Sequence, residues 1–156
     1  DLWRSTLSGN GDPVPFVESD QIVTAPSFSV DGRFVAYQTR VSGRDEIYVT
    51  RFPGGEGRWL IGRGKNPRWS GNGRELFYES DSSLMAVGFT TTDVFRPGIA
   101  EVLFTVQQGD VYEVSGRYYD VSADGQRFLV VRQAAPTETP TITVVQNWYA
   151  EFKDRN

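Results

Sequence analysis

A short segment built on a polar residue followed by Gly recurs three times and constrains the fold more than any other feature of the chain. In each copy a large apolar residue and a Ser precede the pair, and an apolar, often aromatic, run follows it. The three glycines are Gly32, Gly73 and Gly125, so the intervals between them are 41 and 52 residues. A period of roughly 40–45 residues with four strands per unit is typical of β-propeller blades. The sequence therefore predicts an all-β chain of propeller blades, each with four antiparallel strands.

Each polar-Gly pair predicts a tight hairpin. Asp-Gly and Asn-Gly are favoured in two-residue type I′ turns because both central residues need positive φ, which Gly accepts freely and Asn or Asp tolerate. The side chains in these pairs are also candidates for a metal or catalytic site, but their repeated position before Gly favours a role in the turn. The side chains concerned are those of Asp31, Asn72 and Asp124.

The hairpins place the other strands. A short strand before each turn begins near Pro26, Pro67 or Tyr118, and a longer strand follows it. A loop insertion around Thr90–Ala100 accounts for the longer second interval. Runs rich in β-branched and aromatic residues indicate the remaining strands. The predicted second strands are Arg33–Thr39, Glu75–Glu79 and Arg127–Arg132, the third strands Glu46–Arg51, Leu84–Phe89 and Ile142–Val145, and the fourth strands Arg58–Ile61 and Glu101–Thr105.

The start of the chain aligns with the middle of a repeat. Asp1–Leu7 matches Glu46–Phe52, so we expect the third and fourth strands of a blade there, ending around Val14–Val17. The predicted domain is one partial propeller over 1–156, made of the end of one blade (1–18), two blades (24–62 and 66–106), a last blade of three strands (117–148) and a C-terminal tail (149–156).

About three blades and fragments do not readily close a ring, since propellers usually have four to eight blades. We therefore expect either a longer parent chain or two copies that complete a ring together. In the second case the N-terminal segment supplies a strand that the last repeat lacks, which would cover exposed strand edges.

Composition excludes several kinds of chemistry within this chain. The 16 Lys and Arg residues against 20 Asp and Glu give a net charge of −4, so there is no basic surface for nucleic acid. The absence of His removes mechanisms built on an imidazole base, and the absence of Cys removes thiol nucleophiles and Cys-based zinc sites. No cofactor and no metal are expected.

The candidate binding residues precede the innermost strands, where the connections of a propeller reach the mouth of the central channel. They are Asn66 and Arg68 in one repeat and Arg117 and Tyr118 in the last. Arg is the usual anchor for carboxylates because its planar fork offers paired donors. The alternative is a surface Arg that is solvated or paired with a neighbouring blade.

Acidic side chains support two weaker hypotheses. Asp45 and Glu46, predicted in a tight loop, and Asp110 and Glu113, in a later polar stretch, offer oxygen ligands for Ca²⁺, but their spacing differs from a calcium-binding loop and favours solvated loops. Two carboxylates about 5–9 Å apart would allow glycoside hydrolysis, a geometry that sequence does not establish.

Two sets of motifs resemble a known family. The pattern at Phe28–Tyr37, followed by the strand Ile47–Val49, resembles TolB-like (WD-repeat-like) β-propeller repeats. The closing segments Tyr119–Val130 and Ile142–Trp148 resemble the C-terminal end of propeller domains attached to bacterial serine/threonine protein kinases. The kinase catalytic motifs are not in this sequence, so the resemblance does not imply kinase activity.

The resemblance implies a non-enzymatic module that binds a partner protein or a small ligand. It would be the sensor or interaction part of a receptor-type kinase, within a larger membrane-tethered protein and on the extracytoplasmic side of a bacterial membrane. The alternative is an accessory propeller that gates a hydrolase or peptidase domain elsewhere in the parent chain. Propellers host binding, scaffolding and catalytic roles alike, so the fold does not decide between them.

Overall fold

All the regular secondary structure in the described part of the chain is β-strand. The computed structural model describes residues 1–6, 11–90, 95–105 and 119–131. Within those ranges no helix has the length and apolar character needed to span a membrane. The strands are β1 (Leu2–Arg4), β2 (Val14–Val17), β3 (Val23–Phe28), β4 (Phe34–Val41), β5 (Arg44–Arg51), β6 (Trp59–Arg63), β7 (Lys65–Trp69), β8 (Glu75–Ser80), β9 (Ser83–Thr90), β10 (Arg96–Thr105), β11 (Tyr119–Val121) and β12 (Phe128–Val130).

These strands form two four-stranded and two two-stranded antiparallel sheets in chain order. We call β3-β4-β5-β6 the first blade and β7-β8-β9-β10 the second blade. The pair β1-β2 is the N-terminal half-blade, and the pair β11-β12 is the C-terminal half-blade. The architecture is all-β and that of a partial propeller, which confirms the predicted fold class.

Most predicted strands are confirmed to within two residues at each end, but one segment differs. The stretch Thr90–Ala100, interpreted as a loop insertion, contains the first half of the ten-residue strand β10. This strand pairs with β9 through two register irregularities, at Pro97/Ala100 and at Val102/Phe104. Bulges let a strand accommodate extra residues without leaving the sheet. The predicted strand Ile142–Val145 and the predicted tail 149–156 lie outside the described residues.

The core lies between consecutive sheets because the central strands are covered on both faces. In β8, Leu76 and Tyr78 face the first blade, whereas Phe77, between them, faces the C-terminal half-blade. This alternation is the period of two that a strand imposes, and burial on both faces explains the continuous apolar run. The core between the two blades is formed by Phe34, Ala36, Ile47, Val49, Trp69, Leu76, Tyr78, Val87 and Phe95.

The polar-Gly pairs do form hairpin turns, but not of the predicted type. Within each pair only the glycine has positive φ, with values of 68°, 69° and 72° at Gly32, Gly73 and Gly125. In the first turn the Gly32 N–H donates to the Ser29 carbonyl, and the Ser29 N–H donates to the Phe34 carbonyl, each at 2.9 Å. This is a type I pattern with Gly at the fourth position. The prediction of two-residue type I′ turns is therefore wrong.

The Ser in front of each pair explains the difference. The Ser29 hydroxyl donates to Asp31 Oδ1 at 2.7 Å and accepts from the Phe34 N–H at 2.9 Å. The same Ser-to-Asx hydrogen bond is made by Ser70 to Asn72 and by Ser122 to Asp124. Because the Asx side chain is held by the Ser hydroxyl and by the turn backbone, the wider turn is favoured. The assignment of these Asx side chains to the turns is thus confirmed.

Two of the turns touch each other, and a glycine makes the contact possible. A Cβ on Gly71 would lie 1.9 Å from the carbonyl oxygen of Ala123, and a Cβ on Gly125 would lie 2.7 Å from Ser70 Oγ. No side chain fits at position 71 without moving the backbone of the next turn. The sequence departs here from its first repeat, which has Val30 at this position, and the close approach of the turns is the reason.

We predict that Gly71→Ala lowers the free energy of unfolding by about 1–3 kcal/mol, the usual cost of forcing an extra methyl into a packed contact. Chemical denaturation measures it. Gly88→Ala is the matched control because a Cβ there meets nothing within 4 Å, so its effect should stay within about 0.5 kcal/mol. Equal effects of the two substitutions would contradict the contact between the turns.

Candidate functional site

The candidate site is built on a bulge in the innermost strand of the second blade. The register of β7 against β8 shifts between Lys65 and Arg68, and Asn66 has a left-handed backbone with φ of 54°. In the first blade β3 has the same irregularity, with Ala25 at φ of 50°. Asn tolerates this conformation better than most residues. The repeat therefore supplies the bulge, and the second blade places an amide side chain on it.

Asn66 joins three consecutive sheets through hydrogen bonds. Its backbone N–H donates to Gln38 Oε1 of the first blade at 3.3 Å. Its carbonyl oxygen accepts from the Tyr119 hydroxyl of the C-terminal half-blade at 2.7 Å. Its side-chain Nδ2 lies 3.5 Å from Glu79 Oε1 of its own blade. We call Gln38, Asn66, Arg68, Glu79 and Tyr119 the polar cluster.

Glu79 is the carboxylate of the polar cluster. Burial raises the pKa of Glu79, because desolvation disfavours the charged form. The hydrogen bond from Asn66 and the charges of Lys65 and Arg68 act in the opposite direction but do not cancel the effect of burial. Glu79 is thus a partly buried acceptor that takes up a proton more readily than an exposed Glu.

Arg68 is the cationic member of the cluster and lies partly buried on β7, opposite Phe77 of β8. Its Nη1 donates to the carbonyl oxygen of Pro67 at 3.1 Å. Its positive charge acts on two neighbours. For both Glu79 and Tyr119 it is a contribution that lowers the pKa, against the larger effect of burial. In Tyr119 the net direction is still upward, because burial is the larger cause and Glu79 adds to it. The guanidinium therefore lies within electrostatic reach of a carboxylate and a phenol.

Beside the cluster an ion-paired carboxylate ties the two blades together. Asp45 accepts hydrogen bonds from Arg40 Nε and Nη2, both at 3.0 Å, and its Oδ2 lies 3.7 Å from Lys65 Nζ. The hydrogen bond from Arg40 is the main cause that lowers the pKa of Asp45, against the effect of burial. Asp45 and Glu46 lie in β5, so their predicted placement in a tight loop is wrong. The two-residue turn is Ser42-Gly43, where both residues have positive φ.

Of the four predicted site residues, the structure places Asn66 and Arg68 on the same strand, β7, with Pro67 between them. Arg117 and Tyr118 lie outside the described residues, as do Asp110 and Glu113. Gln38, Glu79 and Tyr119 were not predicted. A signal for the first two exists in the repeat, because each follows the Tyr of a second strand, after Tyr37 and Tyr78.

The polar cluster contains a hydrogen-bond acceptor, the Glu79 carboxylate, and hydrogen-bond donors, the Arg68 guanidinium and the Asn66 amide. Polar binding sites are built from such groups. No group of three or more acidic side chains suited to holding a metal ion occurs in the residues that the structure describes. These donors and acceptors are suited to recognising polar groups by hydrogen bonds and charge.

Comparisons with known proteins found similarity among solved structures only. No protein-family model matches the sequence, and a search of curated proteins gave no match. Among solved structures, the chain is similar to TolB from Acinetobacter baumannii, with 14% sequence identity and a TM-score of 0.43. The similarity covers 83% of this chain and 42% of the TolB chain. The chain thus spans less than half the length of that structure.

We predict that Glu79→Gln stabilises the protein at neutral pH. Because burial raises the pKa of Glu79 above its ordinary value of 4.5, the folded state binds the proton more tightly than the unfolded state, and stability falls as pH rises through this window. Gln carries no charge, so the variant does not lose this stability as pH rises. The midpoint of thermal unfolding should be higher for the variant at pH 7, and the difference should disappear as pH falls below 4.5.

Asp45→Asn is the control with the opposite sign. Since Arg40 lowers the pKa of Asp45 below its ordinary value of 3.8, ionised Asp45 contributes stability above that pH. The variant should be less stable than the parent at pH 7, and the difference should shrink as pH falls below 3.8. If Glu79→Gln instead lowers stability at pH 7 as Asp45→Asn does, then the cationic neighbours of Glu79 stabilise its ionised form more than burial destabilises it.

Proposed function

We propose that this chain is a non-enzymatic β-propeller module that binds a partner protein or small ligand at the inner ends of its blades. The observation that carries the proposal is the polar cluster. An amide side chain and a partly buried Arg lie on the bulged strand β7, a partly buried carboxylate lies beside them on β8, and the bulge is hydrogen-bonded to both neighbouring sheets. Binding sites are concave places where a few polar groups converge on a rigid framework.

Arg68 makes a carboxylate the preferred ligand group. A guanidinium binds a carboxylate through two parallel hydrogen bonds, which gives both affinity and orientation. Arg117 and Tyr118 precede the innermost strand of the last repeat and would add a second cation and a phenol to the same mouth. Glu79, whose pKa is raised by burial, repels an incoming anion less as it takes up a proton.

The biological setting belongs to the same proposal. The resemblance of Tyr119–Val130 and Ile142–Trp148 to the ends of kinase-attached propellers supports the sensor part of a bacterial receptor-type serine/threonine kinase. In that setting the module lies on the extracytoplasmic side of the membrane, as part of a membrane-tethered protein. The domain content of the full gene product tests this setting: a kinase domain supports it, and a hydrolase or peptidase domain contradicts it.

The binding experiment uses acetylated dipeptides with a free C-terminal carboxylate and the same dipeptides with a C-terminal amide. We expect the acids, and not the amides, to shift the NMR signals of Asn66 Nδ2 and Arg68 Nε. The double variant Arg68→Ala/Arg117→Ala should lose at least 10-fold in affinity, because a charged hydrogen-bonded pair contributes on the order of 1.5–3 kcal/mol.

Arg44→Ala with Arg96→Ala is the matched control, because it removes two exposed Arg residues outside the cluster. It should leave the binding unchanged. Unchanged affinity in Arg68→Ala/Arg117→Ala, or equal shifts from acids and amides, would contradict a carboxylate site at the polar cluster.

A further inference from the structure

The second of the three Ser-x-Asx-Gly turns differs from the other two in its Asx residue. This residue is Asp31 in the first turn, Asn72 in the second and Asp124 in the third, and each is followed by Gly. The second turn thus carries an amide where the others carry a carboxylate, and Asn72 is exposed. Asn is one of the thermolabile residue types, and a following Gly makes it more reactive because no side chain on the next residue hinders attack on the amide.

The backbone after Asn72 leaves room for that attack. The attacking atom is the nitrogen of Gly73, and a Cβ placed on Gly73 would meet nothing within 4 Å. The Gly73 N–H donates to the Ser70 carbonyl at 2.9 Å, a bond that has to open before the nitrogen reacts. Residues 71–74 are all exposed. Exposed turns open locally, at a much lower free energy than global unfolding, so the nitrogen becomes available in the folded protein.

Hydrogen bonds to the Asn72 side chain favour the same reaction. Its Oδ1 accepts from the Ser70 hydroxyl at 2.6 Å and from the Arg74 N–H at 2.9 Å. When a nitrogen adds to the amide carbon, negative charge develops on this oxygen, and donors aimed at the oxygen stabilise that charge. The turn therefore polarises the carbonyl group that the Gly73 nitrogen attacks.

We propose that Asn72 is a site of spontaneous deamidation in the folded protein. The Gly73 nitrogen forms a bond to Asn72 Cγ, the bond between Cγ and Nδ2 breaks, and the proton of the Gly73 N–H leaves with Nδ2 as ammonia. A cyclic succinimide remains, and water opens it at either of its carbonyl carbons. Opening at Cγ gives Asp, whereas opening at the main-chain carbonyl carbon gives isoaspartate, in which the main chain runs through the former side chain.

The first turn shows that the Asp product fits. Asp31 Oδ1 accepts from a Ser hydroxyl and from the Arg33 N–H, which are the equivalents of the two groups that bind Asn72 Oδ1. Asp31 Oδ2 takes the place of Asn72 Nδ2 and binds Arg33 Nε at 2.6 Å. Arg74 stands at the position of Arg33 in the repeat. An Asp at position 72 therefore gains the charge-assisted hydrogen bond that the first turn already makes.

The isoaspartate product does not fit. It adds a carbon atom to the main chain at position 72, directly after Gly71. A Cβ on Gly71 would lie 1.9 Å from the Ala123 carbonyl oxygen, so the backbones of these two turns are already in close contact. Extra atoms in a packed contact force the backbone to shift. Deamidation thus gives one product that keeps the junction between the second blade and the C-terminal half-blade, and one product that loses it.

Peptide mapping of aged protein tests the proposal. The full chain is incubated in mildly alkaline buffer, well below its melting temperature, and in parallel in concentrated urea. In the folded sample we expect the tryptic peptide Trp69–Arg74 to change from the amide mass to the acid mass at least about 10-fold faster than the peptide that carries Asn66, because Pro67 has no N–H and forms no succinimide. Isoaspartyl methyltransferase should methylate part of the product. Mapping keeps this signal apart from that of Asn10, which also precedes Gly.

Reaction of Asn72 in urea alone overturns the proposal, because it would show that the folded turn protects the amide. Thermal unfolding gives the second readout. The aged parent should develop a second transition at lower temperature from the isoaspartate form, whereas Asn72→Asp should melt at or above the temperature of the parent. Asn72→Ser is the unreactive control, since it forms no succinimide, and it should show no second transition after ageing. Isoaspartate at position 72 without the lower transition overturns the loss of the junction.

Discussion

The structure depends on the burial of each central strand pair between two neighbouring sheets. A four-stranded sheet with one apolar face can rest on a single layer, but β4 and β5, like β8 and β9, carry apolar residues on both faces. Such a sheet has to be covered twice, and a neighbour of the same kind covers it best. Burying apolar surface contributes about 25 cal/mol per Å², so stacking of repeats is the main source of stability.

The polar cluster is a consequence of that stacking. Trp69 of the second blade packs on the first blade, and its indole N–H donates to the Ser27 carbonyl at 2.9 Å. This contact fixes β7 against the first blade, and the bulge at Asn66 then reaches Gln38 on one side and Tyr119 on the other. Because three sheets hold one backbone segment, the side chains of Arg68 and Glu79 start from a rigid base. Preorganisation of this kind reduces the entropic cost of binding a ligand.

The sequence was sufficient to predict the architecture and much of the strand placement. The repeated Ser, Asx and Gly mark the hairpins, and the continuous apolar runs after them mark strands that are buried on both faces. Both signals lie within short stretches of the sequence. It was not sufficient for the turn type, because the Ser hydroxyl that widens each turn acts through the Asp31 or Asn72 side chain and not through φ preference. It also missed β10 before residue 101, where Pro97 and Gly98 indicate a loop but bulges keep the segment in the sheet.

The candidate site was predictable only in part, for a physical reason. Asn66 and Arg68 stand out because they precede a strand at a repeated position, whereas Gln38, Glu79 and Tyr119 join the site through contacts between different blades. Such contacts depend on how the sheets stack, and a single sequence does not give that angle or distance. The sequence did contain one signal for two of these residues, because Gln38 and Glu79 stand at the same position of the repeat, each after a Tyr.

Native-state hydrogen exchange tests the central claim most directly. If each central strand pair is buried between two sheets, the backbone amides of β4, β5, β8 and β9 should exchange more slowly than those of β3, β6, β7 and β10, and only through global unfolding. Slow exchange confined to the edge strands, or equally fast exchange of the amides throughout both blades, would contradict stacking of the sheets as the basis of the fold.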